Sequence, residues 1–484
     1  MEKVVVGIDL GTSSMKFTVV DTKGKVLDSF SRPIELLLPK DGYAEEELSQ
    51  FRDALFDGLK ILANRFLIQG IAVDGQMHGL CLLDSSYEAL GPCILWNDSR
   101  SRDICQKLNQ DKDFLLSRTG NIAFPGFTLP KLLWVKENQP DVFSKISHIL
   151  LPKDYLNFVL TGEFVTDSSD ISGSLFYNIH TREYDKDILE MVGLPKEVYP
   201  SIVSSGDPIG KMLENLKKEL GLEGECMVYQ GAGDNMAGSY SVLSLDSNSC
   251  NISLGTSGTI YAESKEIRYP KNGAIHLFHN IMGGYCSLAC MLSCCSSLNW
   301  FLKDVLQVED YDKETSNITK EDILSNSCFF LPYLMGERSP IDDPFARGMF
   351  YPVSLMTNRK DLVLSVLEGI CFALKDSFVV LKDLGYDIRK ATLTGGGANS
   401  KLFARILASV LGIELIHPLE NRGPSYGMAL LALVSSGAVS KQEKELLLSG
   451  ASETFVPEEE LVVHYQRRYR EFRKLYPMEK VFRK

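Results

Sequence analysis

The sequence has no hydrophobic run long enough to cross a bilayer, no C-x-x-C pair and no excess of basic residues. No stretch approaches the ~18 apolar residues that a membrane-spanning helix needs. Its eleven cysteines, without such pairs, favour a reducing compartment over a disulfide framework. The 51 basic and 63 acidic residues give a formal charge of -12, which disfavours polyanionic partners. We therefore expect a soluble cytoplasmic protein that binds neither nucleic acid nor a membrane.

The common nucleotide-binding fingerprints are missing as well. Lys16 stands where a P-loop that started at Gly11 would need its second glycine. The stretch GAGDNM begins like G-x-G-x-x-G, but Met236 stands at the third glycine position. The signature motifs of protein kinases are absent. These absences exclude a simple P-loop and a standard dinucleotide site.

A short motif occurs twice, about half the chain length apart. Residues 8–21 read IDLGTSSMKFTVVD, and residues 252–263 read ISLGTSGTIYAE. In both, an apolar strand enters a Leu-Gly-Thr-Ser turn and continues as a second β-rich run, which predicts a hairpin. The repeat indicates two related domains, which we place at residues 1–243 and 244–484, with a polar linker over residues 241–251.

Residues 391–416 predict a strand–turn–helix–strand unit in the second half. A strand over residues 391–394 enters a turn of three glycines, and a helix follows whose N-cap is Asn399 or Ser400. Apolar residues then recur with helical spacing up to the next strand, residues 413–416. The fold class is therefore α/β.

The glycine-containing turns are candidate phosphate sites. Gly11-Thr12-Ser13 and Gly255-Thr256-Ser257 offer backbone amides and hydroxyls, which suit phosphate oxygens. A single turn of this kind is most often an ordinary hairpin turn without a ligand. Two copies, together with Gly395-Gly396-Gly397 before a helix N-terminus, favour a nucleotide whose phosphates contact the hairpins and whose adenosine contacts the glycine turn.

Two aspartates are candidates for chemistry. Asp9 ends the first strand just before the first turn, and a carboxylate buried there is expected to hold a cation directly or through water. Asp234 follows Gly-Ala-Gly, whose small residues would let a substrate approach the backbone. A carboxylate at that position can take the proton of an attacking hydroxyl. A helix cap at Asp234 is an equally good interpretation of the local sequence.

Two polar clusters accompany these aspartates. Gly75-Gln76-Met77-His78-Gly79 follows a strand, and its glycines would let His78 face a polyhydroxylated ligand, although a lone histidine is more often structural. Trp96-Asn97-Asp98-Ser99-Arg100 is a second dense polar set. The alternative interpretation, without a role in function, is a surface turn held by an Asp–Arg ion pair.

Taken together, these residues resemble the FGGY family of carbohydrate kinases over nearly the whole chain. IDLGTSSMK and ISLGTSGT resemble its two phosphate motifs, GAGDNMAG its catalytic stretch and TLTGGGANSKLF its adenosine motif. Residues 126–138 fit the first family signature, and residues 348–368 fit the second except that Pro352 replaces a glycine. GQMHG and FLPYLMGERSP are similar to members that phosphorylate a ketopentose. The resemblance implies the actin-like ATPase (ribonuclease H-like) fold, with two duplicated α/β domains and a central cleft.

The resemblance also implies a reaction, transfer of the γ-phosphate of ATP to the 5-hydroxyl of D-xylulose with Mg2+ present. It implies that Asp234 is the general base and a sugar contact, and that Asp9 supports Mg2+ binding and activity. Met77, His78 and Asn235 fall on sugar-contact positions. The implied nucleotide contacts are Gly11, Thr12, Thr256, Gly396, Gly397 and Asn399.

Two other functions stay open at this stage. A sibling FGGY kinase would act on another ketose, a polyol or an aldonate, because few side chains separate such sugars. An actin-like ATPase outside metabolism would act by binding partners, but it has no need of GQMHG and GAGDN. The sequence leaves the oligomeric state open, a homodimer included.

Two further patterns predict structure without chemistry. The cysteines between residues 286 and 295 recur with the spacing of one helical face, which predicts a buried face of small residues rather than a metal site. Residues 465–484 interleave basic and aromatic side chains. They predict an amphipathic helix docked on its own domain.

Overall fold

The computed structural model describes residues 1–242, 248–308, 311–420 and 422–483. Two compact units are present, each assembled from separate segments of the chain. The first unit contains Met1–Ser244, Leu277–Cys286 and Arg422–Ser449, and the second contains Leu245–His276, Ser287–Asn421 and Gly450–Lys484. The expected division between residues 243 and 244 and the middle of the expected linker lie outside the described residues, so both stay predictions.

The strands alternate with helices along most of the chain. The strands up to residue 229 are β1 (Glu2–Leu10), β2 (Ser14–Asp21), β3 (Val26–Pro33), β4 (Glu45–Glu46), β5 (Phe66–Gly75), β6 (Cys81–Leu83), β7 (Cys93–Ile94), β8 (His148–Leu150), β9 (Val165–Asp167), β10 (Tyr177–Asn178), β11 (Glu183–Tyr184), β12 (Ser201–Val203), β13 (Pro208–Lys211) and β14 (Met227–Tyr229). The later strands are β15 (Ser249–Leu254), β16 (Gly258–Ser264), β17 (His276–His279), β18 (Tyr285–Met291), β19 (Phe329–Leu331), β20 (Met349–Tyr351), β21 (Lys390–Thr394), β22 (Glu414–Pro418) and β23 (Ser452–Phe455).

The α-helices follow the same order. Those up to residue 240 are α1 (Leu48–Ala63), α2 (Arg102–Leu108), α3 (Lys112–Thr119), α4 (Thr128–Asn138), α5 (Pro140–Phe143), α6 (Pro152–Thr161), α7 (Ser168–Ile171), α8 (Lys186–Val192), α9 (Glu214–Leu220) and α10 (Asp234–Tyr240). The later helices are α11 (Cys295–Asn299), α12 (Tyr311–Thr315), α13 (Lys320–Ser325), α14 (Arg359–Asp383), α15 (Lys401–Leu411), α16 (Pro424–Ser435), α17 (Lys441–Leu448), α18 (Glu459–Phe472) and α19 (Leu475–Phe482).

The first unit is built on a six-stranded sheet in the order β13-β14-β5-β1-β2-β3. Strand β1 is antiparallel to β2 and parallel to β5, and β5 is parallel to β14. Helices cover both faces, which explains why β1 is an almost continuous apolar run. On one face, a Cβ at Gly7 would lie 1.8 Å from the carbonyl oxygen of Ser425 in α16. On the other, a Cβ at Gly58 of α1 would lie 2.1 Å from the Phe17 ring.

The second unit repeats the same strand pattern. Strand β15 is antiparallel to β16 and parallel to β21, which is in turn parallel to β22. Both predicted Leu-Gly-Thr-Ser hairpins are therefore confirmed, as β1–β2 and β15–β16. The predicted unit around the three glycines is confirmed too, and Ser400 is the N-cap of α15, since its side chain accepts a hydrogen bond from the Phe403 amide.

The cysteine prediction was wrong in its secondary structure. Cys286 and Cys290 lie on strand β18, Cys294 follows it, and Cys295 begins α11. The error has a simple cause, because residues four apart share one face of a strand as well as one face of a helix.

The prediction for the C-terminal segment was right in its packing. The segment forms α18 and α19, and the Phe472 ring packs 5.2 Å from the Phe372 ring of the same unit. Within the described residues, no helix combines the length and apolar character that crossing a membrane requires.

Candidate active site

Three aspartates meet at one edge of the first sheet. In the parallel pair β1–β5, Asp9 lies opposite Asp74 and Leu10 opposite Gly75. Gly75 forms a further parallel bridge with Gly233, which immediately precedes Asp234. Because carboxyl ends of parallel strands meet at the same edge of a sheet, Asp9, Asp74 and Asp234 come together there.

The Gly-Ala-Gly segment before Asp234 serves the packing of the chain itself. A Cβ at Gly231 would lie 1.8 Å from the Val73 carbonyl oxygen, and one at Gly233 would lie 2.8 Å from the Met77 Cγ. We expected these glycines to admit a substrate. Instead, their missing side chains admit strand β5 and the buried side chain of Met77.

Asp234 is the first residue of α10, and its N-cap is Gly233, so the alternative of a helix cap at Asp234 is wrong. The Asp234 Oδ1 accepts hydrogen bonds from the Asn235 amide at 2.7 Å and from the Asn235 Nδ2 at 2.9 Å. Burial, reinforced by the negative charge of Asp9, raises the pKa of Asp234 to about 7. Asp234 is therefore poised to exchange a proton near neutral pH.

Asp9 and Asp74 form the second part of this cluster. Asp74 is completely buried, and neither of its oxygens has a hydrogen-bond donor among the described residues. Burial and the neighbouring charges of Asp9 and Asp234 raise the pKa of Asp74 well above its usual range. Burial raises the pKa of Asp9 to about 6, although a hydrogen bond with the Asp74 side chain and the positive charge of Lys16 counteract part of this rise. The edge thus brings together carboxyl groups whose ionised forms a bound cation would favour.

We expect Asp74→Asn to stabilise the protein, more at pH 8 than at pH 5. Folding raises the pKa of Asp74 well above the value of about 3.9 in the unfolded chain, so the contribution of Asp74 to stability falls as pH rises above that value. Asparagine does not ionise, so it avoids this loss of stability. Thermal unfolding in EDTA should therefore show a melting temperature higher by about 2–4 °C at pH 8. Asp53→Asn is the control, because the Asp53 side chain lies on α1 and is exposed. A melting temperature below that of the parent at pH 8 would mean that ionised Asp74 has a partner.

The first hairpin turn is tied into a chain of hydrogen bonds. The Thr12 hydroxyl donates to Gln76 Oε1 at 3.2 Å and accepts from Trp96 Nε1 at 3.0 Å. Gln76 Nε2 in turn donates to Glu46 Oε2 at 2.7 Å, and burial raises the pKa of Glu46 to about 8. The hydroxyl proton of Thr12 is thus committed to Gln76.

The second polar cluster is buried around its ion pair. Arg100 bonds Asp98 at 2.8 Å and Glu45 at 2.6 Å, and its guanidinium lies 3.9 Å from the Tyr43 ring centroid. The Arg100 and Asp98 side chains are 3 % and 0 % exposed. The expected turn and its Asp–Arg pair are both present: residues 96–97 form a turn in which Asn97 is exposed, whereas the ion pair itself is buried.

His78 is held in a defined orientation. Its backbone has a φ of 72°, and its Nδ1 lies 2.8 Å from the Gly173 carbonyl oxygen. Because a carbonyl can only accept, Nδ1 carries a proton and donates it to Gly173. The ring packs 4.4 Å from Phe127 and 5.8 Å from Phe278. Leu277, which exchanges backbone hydrogen bonds with the Asn121 side chain, anchors the Phe278 segment.

The nucleotide-contact candidates of the second unit also meet at one sheet edge. Strands β15 and β21 are parallel, with Ser253 opposite Thr394, so the Thr256 turn and the glycine turn leave neighbouring strands side by side. Gly395 has a φ of 84°, and a Cβ there would lie 2.6 Å from the Leu254 carbonyl oxygen. Gly396, by contrast, has open space where a Cβ would stand. Gly396, Gly397 and Asn399 form a short 3-10 turn beyond it.

The cluster suits a magnesium ion better than a metal held by protein ligands alone. No group of three or more acidic, histidine or cysteine side chains has metal-binding geometry within the described residues. Mg2+ usually binds one or two carboxylates and completes its shell with water and substrate phosphates. Asp9, beside the buried carboxyl of Asp74, fits that arrangement.

Comparison with known proteins decides the family. The N-terminal domain model of the FGGY family of carbohydrate kinases matches residues 4–240, and the C-terminal domain model matches residues 250–436. The chain belongs to this family. It is a carbohydrate kinase with the actin-like ATPase fold, and kinases of this family use ATP as phosphate donor.

Relatives of this FGGY kinase match it along nearly their whole length. It is 32% identical to the xylulose kinase of Bacillus subtilis (strain 168), covering 98% of this chain and 97% of the relative. A solved structure described as a xyloylose kinase from Brucella ovis superposes with a TM-score of 0.93 at 31% identity, covering 99% of this chain and all of the other. The gluconate kinase of Lactobacillus acidophilus superposes with a TM-score of 0.90 at 25% identity, covering 98% of both chains.

Several residues of this FGGY kinase site were not predicted from the sequence. Asp74 lies near the end of an apolar strand just as Asp9 does, and that parallel was the available signal. Phe278 carries no comparable signal, because it reaches His78 only through tertiary contacts. The same is true of Gly173 and of Ser169, which contact His78 and Gly233.

Proposed function

We propose that this kinase phosphorylates a ketopentose, D-xylulose, at its 5-hydroxyl, with ATP as donor and Asp234 as general base. The observation that carries the base assignment is the position of Asp234 at the sheet edge, beside Asp9, with a pKa of about 7. Similarity to xylulose kinases over almost the full chain supports the choice of sugar.

Asp234 takes the proton from the attacking hydroxyl as the oxygen–phosphorus bond forms. A hydroxyl is a weak nucleophile, and a positioned carboxylate within hydrogen-bond reach orients it and accepts its proton. Asn235 keeps one Asp234 oxygen occupied through two hydrogen bonds, so the other oxygen is the one that would take the proton. We also assign Asn235 and Met77 to the sugar side of the site.

Asp9 is the residue that we assign to Mg2+. When bound, Mg2+ neutralises charge on the phosphate oxygens and so favours transfer to the hydroxyl. Asp9 would hold it directly or through water at the end of β1, where Lys16 is the opposing residue on β2.

We assign nucleotide contacts in each unit separately. In the first unit, Gly11 and Thr12 would contribute backbone groups, because the Thr12 hydroxyl already serves Gln76 and Trp96. In the second unit, Thr256 would face phosphate, and Gly396, Gly397 and Asn399 would contact the adenosine. The open space beside Gly396 supports this role, because a side chain there would stand in the way of a ligand.

We expect His78→Asn to raise KM for the ketose about tenfold, the effect of one lost hydrogen bond. Asparagine tolerates the φ of 72° and keeps a donor for the Gly173 carbonyl, but it lacks the imidazole Nε2 that we assign to the sugar contact. Steady-state kinetics with each substrate varied in turn should show KM for ATP unchanged. An unchanged ketose KM would remove His78 from the sugar site.

A sibling kinase acting on an aldonate is the second candidate, favoured by the TM-score of 0.90 with a gluconate kinase. An ADP-release assay across ketopentoses, ketohexoses, polyols and aldonates separates the two. We expect the highest kcat/KM with D-xylulose. A higher value with an aldonate or a polyol would overturn the ketopentose assignment, and ADP release independent of any sugar would favour an ATPase outside metabolism.

A further inference from the structure

A fully buried ionic cluster lies beneath the sheet edge of the first unit, and the proposed reaction does not use it. The Lys153 Nζ lies 2.5 Å from Asp154, 2.9 Å from Asp167 and 3.4 Å from Asp170. All four side chains are 0 % exposed. A buried lysine surrounded by carboxylates is costly to assemble, since each ion loses its hydration. The cluster is therefore expected to hold a particular part of the chain in place.

The cluster is connected to the segment that carries Asp234. The Asp167 Oδ2 accepts hydrogen bonds from the Ser169 amide at 2.9 Å, from the Ser205 hydroxyl at 2.8 Å and from the Ser169 hydroxyl. The Ser169 Oγ in turn accepts a hydrogen bond from the Gly233 amide at 3.3 Å. Because the hydroxyl proton of Ser169 points to Asp167, a lone pair of its oxygen faces the Gly233 N–H.

Gly233 is the residue through which this connection reaches the site. It is the N-cap of α10, directly before Asp234, so a shift of its backbone displaces the Asp234 carboxylate. The Gly233 amide is buried, and without Ser169 it would lose its hydrogen bond to the oxygen that now accepts it. Ser169 and Gly233 are 64 positions apart in sequence, so this contact joins two distant segments of the first unit.

We propose that Ser169, oriented by Asp167 and Lys153, is a positioning residue that holds the Gly233–Asp234 segment in place for proton transfer. The proposal rests on the proposed function, in which Asp234 is the general base. Ser169 itself would contact neither the sugar nor the nucleotide. Its effect would therefore appear in the chemical step and not in substrate binding.

Ser169→Ala tests the proposal, with Ser205→Ala as a matched control. Both variants remove one hydroxyl from the same oxygen of Asp167, but only the Ser169 hydroxyl also reaches Gly233. We expect Ser169→Ala to lower kcat about tenfold, because small misplacements of a catalytic group are costly. KM for both substrates and the melting temperature should match those of Ser205→Ala, which should keep the parent kcat.

Two results would overturn the proposal. Equal kcat values for the two alanine variants and the parent would show that Ser169 does not position Asp234. Equal losses of kcat and of melting temperature in both would show that the hydroxyls merely stabilise the cluster. Should Ser169→Ala not fold, Ser169→Cys decides, because it preserves the side-chain volume while offering only a weak acceptor, and an unreduced kcat would contradict the proposal.

A double variant keeps the failure of the inference separate from that of the proposed function. In an Asp234→Asn background, Ser169→Ala should cost nothing further, because the group that it positions is already gone. A further tenfold loss there would refute the positioning role while leaving the base assignment intact. An Asp234→Asn enzyme with normal turnover would instead refute the base assignment, and with it the reason for positioning Asp234.

Discussion

Asp234→Asn is expected to lower kcat for sugar phosphorylation by about 10²–10⁴-fold, the usual contribution of general base catalysis. Asparagine has nearly the same shape but cannot take the hydroxyl proton. The hydrogen bonds from Asn235 are compatible with this substitution, because an amide carbonyl oxygen at the same place still accepts them. The affinity for the nucleotide, measured by calorimetry, should change little, since the substitution removes no nucleotide contact.

The same residue predicts how activity depends on pH. With a pKa of about 7, Asp234 loses its ionised, proton-accepting form as the solution becomes more acidic. We therefore expect kcat/KM to rise with pH through about 7 and to fall about tenfold per pH unit well below it. The exposed carboxylate of Asp53 supplies the control, because Asp53→Asn should leave both kcat and the pH profile unchanged. Turnover of Asp234→Asn near the parent value would remove Asp234 from the role of base.

Removal of Mg2+ with EDTA should abolish phosphorylation, and Asp9→Asn should lower kcat/KM by about 10²–10³-fold. Asp9 is the carboxylate at the end of β1, and its loss would leave the fully buried Asp74 and the proposed base Asp234 at this edge. The Mg2+ activation curve should move to higher concentrations in the variant. Binding of Mn2+ in the presence of ATP, followed by electron paramagnetic resonance, gives a readout independent of turnover.

Asp28→Asn is a suitable control for Asp9. Asp28 lies on β3 and pairs with Arg65, away from the carboxyl ends of β1 and β5 where Asp9 lies. It should keep the parent activation curve. An Asp9→Asn enzyme with normal Mn2+ binding but low activity would assign Asp9 to the reaction and not to the ion. Normal values for both would remove Asp9 from the site.

Local patterns were sufficient to predict the elements that frame the site. Both Leu-Gly-Thr-Ser hairpins and the strand–glycine–helix unit depend on residues adjacent in sequence, and all three are present as predicted. The turn after β1 is one such case, because Gly11 donates to the Ser14 carbonyl within the hairpin itself. The cysteine pattern failed for the opposite reason, because its spacing fits a strand and a helix equally well.

The sequence by itself determined the family, the α/β class, the two hairpins and the identity of the candidate aspartates, because each of these depends on short runs of residues. Only the tertiary structure decided which distant residues meet. Parallel pairing of β1 with β5 placed Asp74 against Asp9, and the same pairing gave Asp74 no donor. Packing of α16 on β1 at Gly7 brought residues 424–435 into the first unit. Such contacts depend on the three-dimensional course of the chain, and no local pattern of residue types encodes them.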